Sequence, residues 1–133
     1  MPKRKLEALV NAVTEAETRI LQLLWERAPQ TAREIVSSLE ERDGAHPRTI
    51  KTLINRLLNK KVISYSEKNR KYHYYPNIDK DEFYRFKTKS FLNQYFNGQL
   101  TPLVSFFSQQ NKLSTKELDE LKALIDKMDA DND

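Results

Sequence analysis

Cysteine is absent from the 133 residues, which rules out disulfides, thiolate metal sites and thiol redox switches. Glycine occurs only at Gly44 and Gly98, leaving no material for a phosphate-cradling loop or a nucleophile elbow. The two histidines, His46 and His73, have no partner at H-x-x-x-H or H-E-x-x-H spacing, so no metal site is expected. No apolar run approaches bilayer length, and the opening MPKRKLEALVNAV lacks the apolar stretch of a signal peptide. Membrane insertion is therefore not expected, and a cytoplasmic address is the simplest reading. Nothing in the pattern places paired carboxylates in a cleft or builds a cofactor site. An enzyme is not expected.

Charge is plentiful and unevenly placed. Charged residues make up 32% of the chain and the net charge is +4. Residues 1–78 carry fifteen basic and nine acidic side chains, whereas residues 79–133 carry eight and ten. A basic front half points to a polyanionic partner, although charged faces are also commonly just solvated.

Three S/T-x-x-E boxes mark helix starts, at Thr14–Glu17, Thr31–Glu34 and Ser114–Glu117. In the third, Leu113 and Leu118 occupy the hydrophobic-staple positions. The first two boxes, together with Pro47 at a first helical turn, predict helices over residues 14–27, 31–42 and 47–60. After Lys60 the pattern becomes β-branched and aromatic, VISYSEKNRKYHYYP, interrupted by Lys68-Asn69-Arg70-Lys71. That predicts a hairpin of residues 62–66 and 72–76 with Asn69 left-handed in its turn, and Gln30 is expected to add a short third strand. The fold class expected is mainly α: an N-terminal winged helix-turn-helix over residues 1–78, with three helices and a β-hairpin wing, then a C-terminal helical dimerisation region over residues 79–133. In the latter, helices are expected over residues 79–97 and 114–128.

The helix at residues 47–60 has an apolar arc of Ile50, Leu53, Ile54, Leu57 and Leu58. Its opposite arc centres on Arg48, Thr52, Asn55 and Asn59, flanked by Thr49, Lys51 and Arg56, and no acidic residue occurs from Ala45 through Tyr65. Duplex DNA offers phosphates, which accept from cations, and base edges, which Arg and Asn bridge with paired hydrogen bonds while a Thr methyl meets that of thymine. Arg48, Thr49, Lys51, Thr52 and Asn55 are therefore the candidates for bases or adjacent phosphates. Arg56, Lys60, Lys68, Arg70 and Lys71 are the candidates for the backbone. Three alternatives stand beside this: a merely solvated basic helix, a winged-helix protein-interaction module, and a non-specific architectural DNA binder. Trp25 reads as a core anchor, and Tyr72, Tyr74 and Tyr75 as cross-strand packing.

The segments TEAETRILQLLW, HPRTIKTLINRLLNKKVI, KNRKYHYYP and LSTKELDELKALID together resemble the penicillinase-repressor (BlaI/MecI/CopY) family of bacterial transcriptional repressors, over residues 14–128. The resemblance implies a homodimer bound to a palindromic operator, with C-terminal helices intertwined. Residue chemistry agrees, because a short rear half could hardly bury Phe91, Tyr95, Phe96, Leu103, Phe106 and Phe107 by itself. Leu118, Leu121, Leu124, Ile125 and Met128 follow the mixed three- and four-residue spacing of a helix seam. Packing back onto the same chain's front half is the alternative. Relatives that sense copper carry a cysteine pair, so thiolate copper sensing is not expected here. Relatives that answer β-lactams are cut at an Asn–Phe bond through a membrane sensor-protease. Ser105-Phe106 stands at the matching place, a candidate switch without the asparagine. His46 replaces a common family serine as helix cap, and some local adjustment is expected there.

Overall fold

The computed structural model describes residues 3–132. In chain order the elements are α1 (Lys3–Asn11), α2 (Glu15–Glu26), β1 (Gln30–Thr31), α3 (Ala32–Asp43), α4 (Pro47–Asn59), β2 (Ile63–Lys68), β3 (Lys71–Pro76), α5 (Lys80–Phe96), α6 (Leu100–Gln110) and α7 (Thr115–Asn132). Two compact units are distinguished, Met1–Ser90 and Phe91–Asp133. The expected border at 78/79 is where α5 is about to begin, and the first unit runs on through the first turns of that helix.

Local chemistry accounts for the helix ends of the first unit. Ahead of α2, the Thr14 amide donates to Glu17 Oε1 at 2.8 Å while the Glu17 amide donates to Thr14 Oγ1 at 3.2 Å. Thr31 and Glu34 repeat that exchange before α3, at 3.2 and 3.3 Å, and Gly44 closes α3 in the left-handed region at φ 65°. His46 does cap α4: its Nδ1 accepts from the Arg48 amide at 3.1 Å. Its ring nitrogen thus reaches the second helical amide in the manner of an Asx side chain. At the other end of α4, Lys61 is left-handed (φ 63°). Its amide donates to Leu58 O at 3.0 Å and that of Val62 to Leu57 O at 3.1 Å, the paired bonds of a Schellman ending.

The sheet is antiparallel in the order β1-β3-β2. Gln30 pairs with Tyr74 and Thr31 with His73, so the expected third strand is present. The hairpin is longer than the sequence suggested. Its strands reach Lys68 and Lys71, leaving a two-residue turn in which Asn69 (φ 53°) and Arg70 (φ 62°) are both left-handed. That is the backbone of a type I′ turn, whose twist matches that of the strands.

One core unites these elements. Ile20, Leu21 and Leu24 of α2 meet Ile35 and Leu39 of α3, Ile50, Ile54 and Leu57 of α4, Val62 just before β2, and Ile63 and Tyr74 of the sheet. Phe83 and Phe86 join it from the first turns of α5. Trp25 anchors that junction: its Nε1 donates to Ile78 O at 3.0 Å and its ring lies 5.2 Å from Phe83. The helix α1 was not foreseen. Leu6 and Val10 dock it onto the core, and Glu7 pairs with Lys89 at 3.6 Å.

The second unit is built differently. No described residue from Phe91 onward is buried. Aromatic contacts occur within it: Phe91 lies 5.2 Å from Tyr95 and Phe96 lies 6.0 Å from Phe106. The turn into α6 needs glycine, because Gly98 has φ 78° and a Cβ there would sit 2.9 Å from Asn93 Oδ1. Among the described residues, no helix is long and apolar enough to cross a membrane.

Candidate nucleic-acid interface

The geometry of α4 follows from its two arcs. Ile50, Ile54 and Leu57 are buried and Leu53 and Leu58 partly so, which turns Arg48, Thr49, Lys51, Thr52, Asn55 and Arg56 outward and leaves each exposed. Thr52 Oγ1 donates to Arg48 O at 3.0 Å. That bond fixes the hydroxyl against the helix and orients the side chain, whose methyl is the part suited to an apolar base contact. Lys68, Arg70 and Lys71 are exposed at the wing tip.

Several cations elsewhere in the first unit meet carboxylates: Arg27 meets Glu34 at 2.8 Å, Arg42 meets Glu26 at 3.1 Å, and Arg19 lies 3.8 Å from Asp43. Arg48, Lys51, Arg56, Lys68, Arg70 and Lys71 have no ion-pair partner among the described residues. Six cations on α4 and the wing thus remain uncompensated, the state in which they attract an external polyanion most strongly.

Lys60 departs from the expectation that grouped it with the phosphate contacts. Its Nζ donates to both carboxylate oxygens of fully buried Glu17, at 2.6 and 2.9 Å, and to Ala12 O at 2.8 Å. Burial pushes the Glu17 carboxyl up, but the Lys60 ammonium and the Thr14 amide outweigh it and hold the group below its ordinary range. Lys60 therefore ties the end of α4 to the start of α2. Nearby, Lys87 Nζ donates to Val13 O at 2.6 Å, and burial lowers its pKa despite Glu17.

On the wing, Tyr65 and Tyr72 stack at 4.0 Å, with Tyr74 edge-on to both. Tyr72 and Tyr74 each pack against Tyr65 across the strands, as the hairpin reading expected, whereas Tyr75 is exposed and stands opposite Ser64. Between α3, α4 and the wing lies an open recess of about 430 Å³. Lys51 and Lys71 line it together with Arg33 and Tyr72. Sequence reasoning passed over Arg33, whose relevance appears only once the hairpin folds back beside the start of α3.

In the second unit, Phe91, Tyr95, Phe106, Phe107, Leu118, Leu124, Ile125 and Met128 are exposed, while Phe96, Leu103 and Leu121 are half-buried. The aromatic contacts bring Phe91, Tyr95, Phe96 and Phe106 together. Ser105 and Phe106 lie inside α6, where Ser105 O also accepts from Ser108 Oγ at 2.9 Å.

Comparison with known proteins gives the family and the fold. The chain is 29% identical over 114 residues to a penicillinase repressor of Bacillus licheniformis, covering 86% of this chain and 89% of the relative. It is 30% identical to a penicillinase repressor of Staphylococcus aureus, covering 85% and 90%. Among solved structures, the DNA-binding domain of the repressor BlaI matches 53% of this chain and 87% of its own length, with 25% identity and TM-score 0.50. A MepR variant of S. aureus bound to an oligodeoxyribonucleotide shares the fold at 21% identity and TM-score 0.51, covering 98% of this chain and 86% of its own. The architecture is a winged helix-turn-helix followed by helices, and the family model for the penicillinase repressor matches residues 13–127. The chain belongs to the penicillinase repressor family.

Proposed function

We propose that this protein is a homodimeric, sequence-specific DNA-binding repressor of transcription, acting in the cytoplasm on a palindromic operator. The uncompensated cations on α4 and the wing carry this reading. In it, α4 enters the major groove, where Arg48 and Asn55 address base edges and Thr52 offers its methyl. Thr49, Lys51 and Arg56 flank them, and Lys68, Arg70 and Lys71 hold the neighbouring backbone. Two copies are joined through the second unit, whose uncovered apolar helices favour a partner of the same kind.

Release from DNA is proposed to follow cutting in α6 by a membrane sensor-protease, with Ser105-Phe106 the candidate bond. Both residues are helical, so α6 must unwind before an extended-strand protease site accepts them. The family resemblance supports this step.

Selection from random duplexes tests the main reading. A palindrome should emerge at low salt. Asn55→Ala should relax preference at one position per half-site, at a cost of about 1–3 kcal/mol. Arg70→Ala should weaken operator and random DNA alike. Enrichment of no duplex would overturn the reading, and equal binding of all duplexes would replace it with an architectural role.

A further inference from the structure

The recess between α3, α4 and the wing has a composition that its three elements do not share individually. Arg33 comes from the second helical position of α3, Lys51 from α4 and Lys71 from the base of the wing turn. No carboxylate lines it. The nearest acidic residue in sequence, Glu34, is held away by the Thr31 amide and the Arg27 guanidinium, which together keep its carboxyl below the ordinary range. Arg33, Lys51 and Lys71 have no ion-pair partner among the described residues. Three like charges on the lining of one concavity repel one another, an arrangement that an anion relieves.

The start of α3 adds a donor of its own. The Thr31–Glu34 exchange satisfies the Glu34 amide and the Thr31 amide. The Arg33 amide, at the second helical position, has no intrahelical acceptor, and Arg33 lines the recess. Tyr72, exposed and stacked on Tyr65, completes the lining together with Thr31, Ala32, Val36 and Pro47.

We propose that this recess seats one backbone phosphate of each operator half-site, held by Arg33 and Lys71 with Lys51 above it. The inference rests on the duplex-binding reading and deepens it. It gives α3 a direct part in recognition and assigns Lys51, a candidate for bases or adjacent phosphates, to the backbone. It also makes the wing and α3 two jaws of a single grip on one strand. Because a phosphate contact carries no sequence information, the grip fixes the register in which Asn55 and Arg48 meet their bases.

The test uses the full chain, the duplex enriched by selection, and a set of copies each carrying one neutral methylphosphonate. Arg33→Ala should lower affinity about tenfold at low salt, the scale of one lost charge-assisted contact. The slope of log affinity against log salt should become shallower by about 0.9, with base preference unchanged. One methylphosphonate position that weakens the wild type should leave Arg33→Ala unaffected. Arg33→Lys should restore most of the slope. Arg33 is exposed, so an unchanged thermal midpoint separates these effects from misfolding. If Arg33→Ala keeps the wild-type slope and methylphosphonate profile while Arg70→Ala loses slope, the seat is wrong and duplex binding stands. If the wild type enriches no duplex, both fall.

Discussion

The two compact units answer the same demand in opposite ways. Through Ser90 the chain closes around Ile20, Leu57 and Phe83, and its buried carboxylate is met by Lys60. From Phe91 onward the helices are equally regular, yet Tyr95, Phe106, Leu124 and Ile125 remain more than half exposed. An amphipathic helix records which face must be covered and is silent about what covers it. In the first unit the cover comes from neighbouring elements of the same chain. In the second it must come from outside the unit.

The sharpest way to break that contrast is to charge the uncovered face. Leu124→Asp combined with Ile125→Asp should convert a dimer to a monomer in sedimentation. Operator affinity should fall by about 10²–10⁴-fold, the scale of losing linked second-site binding. Trp25, the single tryptophan, sits in the first unit and should report an unchanged fold there. A wild-type chain that sediments as a monomer would remove the contrast altogether.

The first unit has its own breaking point. Lys60→Ala should destabilise it by about 3 kcal/mol in urea denaturation, because a buried carboxylate is left without its counter-ion. Lys60→Met with Glu17→Gln should recover most of that loss. Acid tests the same pair. The folded pKa of Glu17 lies below its ordinary value of 4.5, so the stability it contributes is complete above that value. It is lost as pH falls through the lower folded value. Glu17→Gln should flatten that part of the acid-unfolding curve.

Much of the first unit was legible because it follows short-range rules. The boxes at Thr14 and Thr31, the strand at Gln30 and the outward arc of α4 depend on spacings of two to four residues. What escaped notice depended on distance. Lys60 reads as one more basic residue after an amphipathic helix until folding places it against Glu17, 43 positions earlier. Arg33 looks like an ordinary surface cation until the wing arrives beside it. The helix α1 lacked a capping signal, and only the spacing of Leu6 and Val10 marked it. In the second unit the helices at residues 79–97 and 114–128 were legible, α6 was not delimited in advance, and the cover of all three remains a proposal.

A smaller effect would sharpen the comparison from the wing. Arg70 occupies a left-handed position where glycine rests more easily. Arg70→Gly should therefore stabilise the first unit by about 1 kcal/mol while making the salt slope of DNA binding shallower by about 0.9. Thermal melts and salt titrations of one variant would then move in opposite directions, separating folding from recognition at a single residue.

The uncovered helices also set how this protein would respond to its own abundance. If the reader works only in pairs, the supply of pairs falls faster than the number of chains, so modest dilution empties operators disproportionately. Cutting α6 would act on that same steep curve, and removing a minority of chains could release a promoter well before the repressor is gone.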